Sequence, residues 1–198
     1  MSARLTLLLA VLYLHLSGLA IAAPVSDVVP APLLTEALKS HDQHKDAVKQ
    51  SDYLIIIDYR KHSATERFYL IDLRDRTSEA HLVAHGKGSD QDHDGYAEAF
   101  SNTPNSKMSS LGAFVTGDDY YGRHGLSLKM HGLEAQNDKA EERYIVIHGA
   151  DYVSPARDKM GRSWGCPALQ RDVAERLIPL TKGGTFVYIA GPREAAGS

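Results

Sequence analysis

The sequence has almost no cysteine: Cys166 is the only one in 198 residues, so no partner exists in the chain for a disulfide. It lacks an apolar stretch long enough to cross a bilayer, which takes about 20 residues. The run from Leu5 to Leu14 is shorter, and His15 and Ser17 interrupt the residues beyond it. A strong excess of either charge is missing too. A formal charge of -3 and a pI near 6.3 give no reason to expect nucleic acid as a partner. There is no internal repeat and no low-complexity segment, and the ten histidines are scattered rather than gathered in tracts. No histidine or carboxylate cluster has convincing ligand spacing, so neither a metal nor a cofactor is expected.

What is present begins with an address. Arg4, the apolar run and the small-x-small pattern Ala20-Ile21-Ala22 read as a secretory signal peptide over residues 1–22, cleaved near Ala22. An uncleaved anchor is the alternative. No cysteine follows the run, which excludes a lipid-anchored lipoprotein. The expectation is secretion across the inner membrane into the periplasm or cell envelope, with no stable membrane insertion after cleavage. A lone thiol in that oxidising compartment is either buried and inert or kept for its reactivity.

The mature chain is one domain's worth of sequence, long enough for a real core. Residues 23–50 read as a linker, extended over the proline-rich 24–32, then an amphipathic helix over 33–49. His41 and His44 share its solvated face. From Ser51 onward, β-branched and aromatic runs alternate with polar turns: residues 53–59, 67–73, 79–85, 112–117, 126–132, 143–149 and 185–191. A short helix lies between Cys166 and Gly183, with Val173, Ala174, Leu177 and Ile178 inward. The pattern predicts a mainly β domain over 51–192, a sandwich or barrel with attached helices, and a tail over 193–198.

Cys166 sits in GRSWGCPAL. A free thiol is mostly protonated at neutral pH, with a pKa of about 8.5, so a nucleophilic cysteine needs a base. His148 is the candidate, at the end of the strand RYIVIH, where a side chain can reach a cleft. Fourteen residues, 149–162, separate it from Ser163, and Cys166 follows three places on. A loop of that size can fold back to bring thiol and imidazole together. Gly165 beside the nucleophile lets backbone amides approach a substrate carbonyl, as an oxyanion hole requires. The bland alternative is a buried, inert Cys166 and a His148 that only completes its strand.

His148, the fourteen residues that begin with Gly149, then Ser163-Trp164-Gly165-Cys166 together resemble the His…[Ser/Thr]-x-Gly-Cys motif of the L,D-transpeptidase (YkuD-type) family. The stretch IVIHGADYV…GRSWGCPAL is closer still to its murein L,D-transpeptidase catalytic-domain branch. Val83-Ala84-His85-Gly86-Lys87 resembles the segment before that family's Thr-Pro…Gly-x-Phe element, which Thr103-Pro104 and Gly112-Ala113-Phe114 supply. Residues 183–189 resemble the closing strand, so the likeness runs from about residue 53 to 189. The resemblance implies a β-sandwich or barrel of the L,D-transpeptidase type.

It also implies roles. Cys166 attacks a peptide carbonyl and becomes an acyl-enzyme, and His148 takes the thiol proton and later activates an incoming amine. The carbonyl of Gly149 holds the other imidazole nitrogen, the amides of Gly165 and Cys166 stabilise the oxyanion, and Ser163 supports the loop. The implied substrate is the tetrapeptide stem of peptidoglycan, cut after its third residue with loss of the terminal D-amino acid. A side-chain amine of a second stem then takes the acyl group. Two positions depart from the wider family: Trp164 stands where histidine is frequent, and Pro167-Ala168 where an Arg or Asn follows the cysteine. Trp164 and Tyr152 are candidates for an apolar wall and Arg162 or Arg123 for a stem carboxylate. Tyr121, with Tyr120, is the candidate lid, flanked by Gly117 and Gly122.

Other patterns compete. Asp90, Asp92, Asp94 and Gly95 follow the first half of a calcium loop, but the twelfth position, which should be glutamate, is Ser101, and Glu98 stands at the ninth. A solvated turn is the favoured reading. His81 and His85 fall on one side of a strand, yet about 13 Å apart, too far to share a metal. Among functions, transfer is favoured over hydrolysis of the same stems by an L,D-carboxypeptidase or endopeptidase. Sortases lack support because their Thr-Leu-x-Thr-Cys motif is absent, and papain-type and NlpC-type peptidases place cysteine before histidine. A non-catalytic cell-wall binding module is the remaining alternative, and a thiol unreactive at pH 6 is the expected sign of it.

Overall fold

The computed structural model describes residues 22–192; the expected signal peptide, save Ala22, and the tail over 193–198 lie outside the described residues. Nine strands form one sheet: β1 Ala23–Pro24, β2 Gln50–Asp58, β3 Phe68–Asp72, β4 Thr77–His81, β5 Gly112–Gly122, β6 Gly125–Gly132, β7 Val146–Gly149, β8 Ala168–Leu169 and β9 Thr185–Ala190. Their order is β1-β4-β3-β2-β9-β5-β6-β7-β8. β2 and β9 pair in parallel, as do β7 and β8, and the other neighbours are antiparallel. The fold is therefore mainly β with a few helices, as the sequence predicts. The sheet does not close. It curls far enough, however, that Ala84, three residues past β4, bridges Ala168 of β8.

Apolar residues cover both faces of the central strands, which is why β2 reads as an unbroken run, LIII, rather than an alternation. Ile55 and Ile57 face one core with Phe68, Leu70, Phe114, Leu128, Ile147 and Val187. Leu54 and Ile56 face the other with Tyr69, Ile71 and Phe186. Helix α3, Arg171–Thr181, closes the first core through Ala174, Leu177 and Ile178, with Val173 packed beside them. The second core is closed from the N-terminal side, by the short helix α1, Val25–Val28, and by α2, Ala31–Gln43. Each fully buried Leu or Ile contributes about 1.5–3 kcal/mol from burial alone.

Several boundaries differ from expectation for identifiable reasons. Residues 24–32 are not a wholly extended linker: Ala23 and Pro24 pair with Ser78 and Thr77, then α1 makes one turn. α2 starts two residues early because prolines are tolerated in a first helical turn. It ends at Gln43, and residues 45–47 form a separate 3-10 turn. His41 and His44 are not a solvated face; their rings pack on Phe186, with centroids 5.2 and 6.3 Å away. The strand expected over 143–149 begins only at Val146, since Tyr144 has φ +56° and cannot extend. β5 runs on to Gly122, so Tyr121 pairs with Leu126 inside a long hairpin instead of lying in a turn.

Candidate active site

The end of β7 and the loop before β8 meet in one cleft of about 530 Å³. His148 is the third residue of β7, paired with Ser127 of β6 on one side and Ala168 of β8 on the other. It is buried. Its Nδ1 lies 3.0 Å from the carbonyl oxygen of Gly149, so Nδ1 carries the proton and Nε2 is the free lone pair. Burial pushes the imidazole down to about 4; the Gly149 carbonyl pulls it back, while His124 and Arg171 push the same way as burial. His148 is thus a neutral imidazole. Gly149 has to be glycine on packing grounds, since a Cβ there falls 2.9 Å from the Cα of Arg171.

Cys166 lies in the same cleft, half-buried, with Sγ 3.5 Å from the carbonyl oxygen of Tyr144. Burial pushes its thiol up, against a downward pull from the backbone amide of Val146, the Arg143 charge and its own amide. The loop that carries it is held on either side of Trp164. The Ser163 amide donates to the His85 carbonyl at 2.9 Å, and the Ser163 carbonyl accepts from the Lys87 amide at 2.8 Å. Ser163 Oγ donates to the Cys166 carbonyl at 2.7 Å and accepts from the Gly165 amide at 3.0 Å. Ser163 thus ties the Cys166 loop both to itself and to the segment after β4.

That last bond corrects one expectation. The family resemblance assigns the Gly165 amide to the oxyanion hole, but its proton is already donated to Ser163 Oγ. Gly165 is needed for its backbone instead. Its φ is +122°, and a Cβ would meet the Met108 carbonyl oxygen at 2.7 Å. The Cys166 amide is left as the candidate oxyanion donor.

Trp164, Tyr152 and Arg162 line the cleft as expected. Trp164 is 71% exposed with Lys107 over its ring at 4.8 Å. Tyr152 is half-buried, and burial above all pushes its phenol up to about 12. The structure does not bring Tyr121 there: it is 84% exposed on the hairpin and outside the cleft wall. The hairpin reaches the site through the turn beyond it. His124 stacks on His148 with ring centroids 4.3 Å apart, and Arg123 lines the cleft.

The sequence alone does not single out His124 or Arg143 for this site. Arg143 ties the cleft to the preceding loop, donating to the carbonyls of Ser101 and Met108 at 2.6 and 2.5 Å and to Ser110 Oγ at 2.5 Å. A buried network below is equally silent in the sequence. Arg67, fully buried, donates to the Val83 carbonyl and, at 2.7 Å, to His85 Nδ1; His85 Nε2 donates to Asp90 Oδ2 at 3.0 Å. Asp90 in turn accepts from the amides of Asp94 and Gly95. The turn suspected of calcium binding thus uses its first carboxylate to anchor His85, the residue whose carbonyl holds Ser163. The carboxylate oxygens of Asp90, Asp92 and Asp94 lie within 4.8 Å of one another.

A family model for the L,D-transpeptidase catalytic domain matches residues 26–190. The chain belongs to that family. Similar solved structures include an L,D-transpeptidase from Mycobacterium smegmatis (11% identity, TM-score 0.45, covering 71% of this chain and 59% of that one). A second is an L,D-transpeptidase from Mycobacterium tuberculosis H37Rv (11%, 0.46, 70% and 57%). A third is an L,D-transpeptidase from Stackebrandtia nassauensis (13%, 0.42, 80% and 66%). This L,D-transpeptidase-family chain spans 59%, 57% and 66% of their lengths. No curated protein matches it. Among the described residues, no helix is long and apolar enough to cross a membrane.

Proposed function

We propose that this chain is a cysteine-dependent peptidoglycan L,D-transpeptidase of the periplasm or cell envelope. The observation that carries the reading is the shared cleft of Cys166 and His148, with Nδ1 of the imidazole committed to the Gly149 carbonyl and Nε2 left as the base. In the first half-reaction, Nε2 takes the thiol proton as Sγ attacks the carbonyl of the stem's third residue. The oxyanion that forms is met by the Cys166 amide. Collapse breaks the peptide bond, and the imidazolium returns its proton to the departing D-amino acid, leaving a thioester on Cys166. A side-chain amine of a second stem then attacks the thioester, loses its proton to Nε2, and leaves as a new amide while the thiolate is reprotonated.

Incubation with tetrapeptide stems, followed by mass analysis, tests this. Crosslinked dimers and free D-amino acid are expected, and Cys166→Ala and His148→Ala each lower the rate by roughly a thousandfold or more, non-additively when combined. Trimmed tripeptides alone, in the presence of abundant acceptor amine, replace transfer with carboxypeptidase action. No product from any stem leaves the wall-binding alternative.

A further inference from the structure

The cleft is walled by cations and by no acid. Lys107, Arg123, Arg143 and Arg162 line it, together with His124, and no Asp or Glu of the described residues joins them. This occurs in a chain with 25 acidic and 22 basic side chains. Outside the cleft four arginines are paired with carboxylates: Arg60 with Asp58 and Glu36, Arg74 with Asp52 and Asp72, Arg171 with Asp151, Arg176 with Glu79. None of the four cleft cations forms an ion pair among the described residues. Their partners are neutral. Arg143 donates to carbonyls and serine hydroxyls, Arg162 to the backbone carbonyls of Asp90 and Gln91, and Lys107 lies over Trp164. The Asp90 carboxylate, which feels the Arg162 charge, is committed to His85. Arg123 stands exposed at the hairpin turn.

Like charges gathered in a concavity repel one another, and an entering anion relieves that repulsion. We propose that the cleft selects donor stems whose side-chain carboxyls are free carboxylates, and discriminates against the same stems with those carboxyls amidated. The inference rests on reading the cleft as the stem-binding site. A terminal carboxylate is a single charge, and it departs with the leaving amino acid. The cations stand on four separate segments: the 105–107 loop, the β5–β6 turn, the approach to β7 and the loop before Cys166. Charge spread along the stem, not concentrated at its end, matches that distribution. Guanidinium groups bind carboxylates through parallel N–H···O bonds. Amidation removes the charge and also replaces an acceptor oxygen by an NH₂ donor, so that donors face donors.

Two synthetic donor tetrapeptides of one sequence test this, one with free side-chain carboxyls and one amidated. Binding is measured by calorimetry on Cys166→Ala, which cannot acylate, and turnover on the wild type. The free-acid stem is expected to bind about tenfold more tightly at low salt, the gap narrowing at about 0.5 M salt as screening sets in. Arg123→Gln, at an exposed turn, should shrink the gap at least about threefold, through KM rather than kcat. Equal binding, or preference for the amidated stem, overturns the inference, and equal turnover of both leaves the transpeptidase reading standing. A retained free-acid preference with no turnover overturns the transpeptidase reading alone, and no binding of either stem overturns both.

Discussion

At the scale of single residues, burial opposes charge on both members of the Cys166–His148 pair. The imidazole is held down to about 4 and the thiol is pushed up, so the resting pair is neutral thiol and neutral imidazole, not thiolate and imidazolium. Nucleophilicity then has to be raised when substrate arrives. Alkylation of Cys166 by iodoacetamide should therefore accelerate with pH through the ordinary thiol range and beyond, with no fast plateau near pH 6, and His148→Ala should change that profile little. A rapid, pH-independent rate below about pH 7 would mean an ion pair and contradict this picture. Slow labelling at pH 6, expected from the sequence to mark a binding module, loses that meaning here. That Cys166 and His148 share a cleft was legible, because their order and the loop length between them let the chain fold back. His124 was not, because it reaches His148 only through the Ser127–His148 register of β6 on β7, which no local pattern encodes. The bonds that join Arg67, His85 and Asp90 were hidden for a similar reason: they span 16 to 18 and 5 residues in sequence, inside the protein.

At the scale of elements, the loop that carries Cys166 is a guest of two others. The segment after β4 bonds it through His85 and Lys87, and Ser109 joins all three, accepting from the Gly86 amide at 3.0 Å and donating to the Gly165 carbonyl at 3.1 Å. Gly86 has an ordinary extended backbone, φ −75°, so alanine there is not strained by itself. Its Cβ, however, would lie 2.4 Å from the Lys107 carbonyl oxygen and 2.9 Å from the Gly165 Cα. Both obstacles are backbone, so one loop has to move. Gly86→Ala should lower kcat/KM by about tenfold to a hundredfold, the effect of misplacing a reacting group by around 1 Å. Unchanged kinetics in a folded protein would show that the contact does not position Cys166. The strand runs were readable, yet the site is built where they stop early. β4 ends at His81 and releases residues 82–89 to the Cys166 loop, and β8 is two residues long, too short for any alternation to reveal.

At the scale of the whole molecule, a mainly β domain was legible because apolar runs of strand length dominate. An open, strongly curled sheet was not, since it depends on β2 and β9, remote in sequence, lying parallel at its centre. The same curl encloses two imidazoles, and stability should follow them. His85 and His148 are both buried and both held down to about 4; for His85, burial acts first and Arg67 second, against Asp90. Unfolding returns each to its ordinary 6.5. Between those values the unfolded chain binds up to two protons that the folded chain refuses, so stability falls as pH falls through that window and is level above it. Each histidine removes up to about 3 kcal/mol across the window. Glu79 extends the decline. Burial alone would raise its carboxyl, but the His81 ring 3.4 Å away and two hydrogen bonds from Arg176 hold it down to about 2, so its contribution is lost as pH falls from about 4.5 towards 2. Urea unfolding at several pH values between about 8 and 4 measures the slope. His148→Gln, which leaves the Arg67–His85–Asp90 network intact, should remove about half of the slope above pH 5. A stability that stays level from about pH 7 to 5 would mean that these imidazoles are protonated in the folded protein, and the proposed neutral base would go with them.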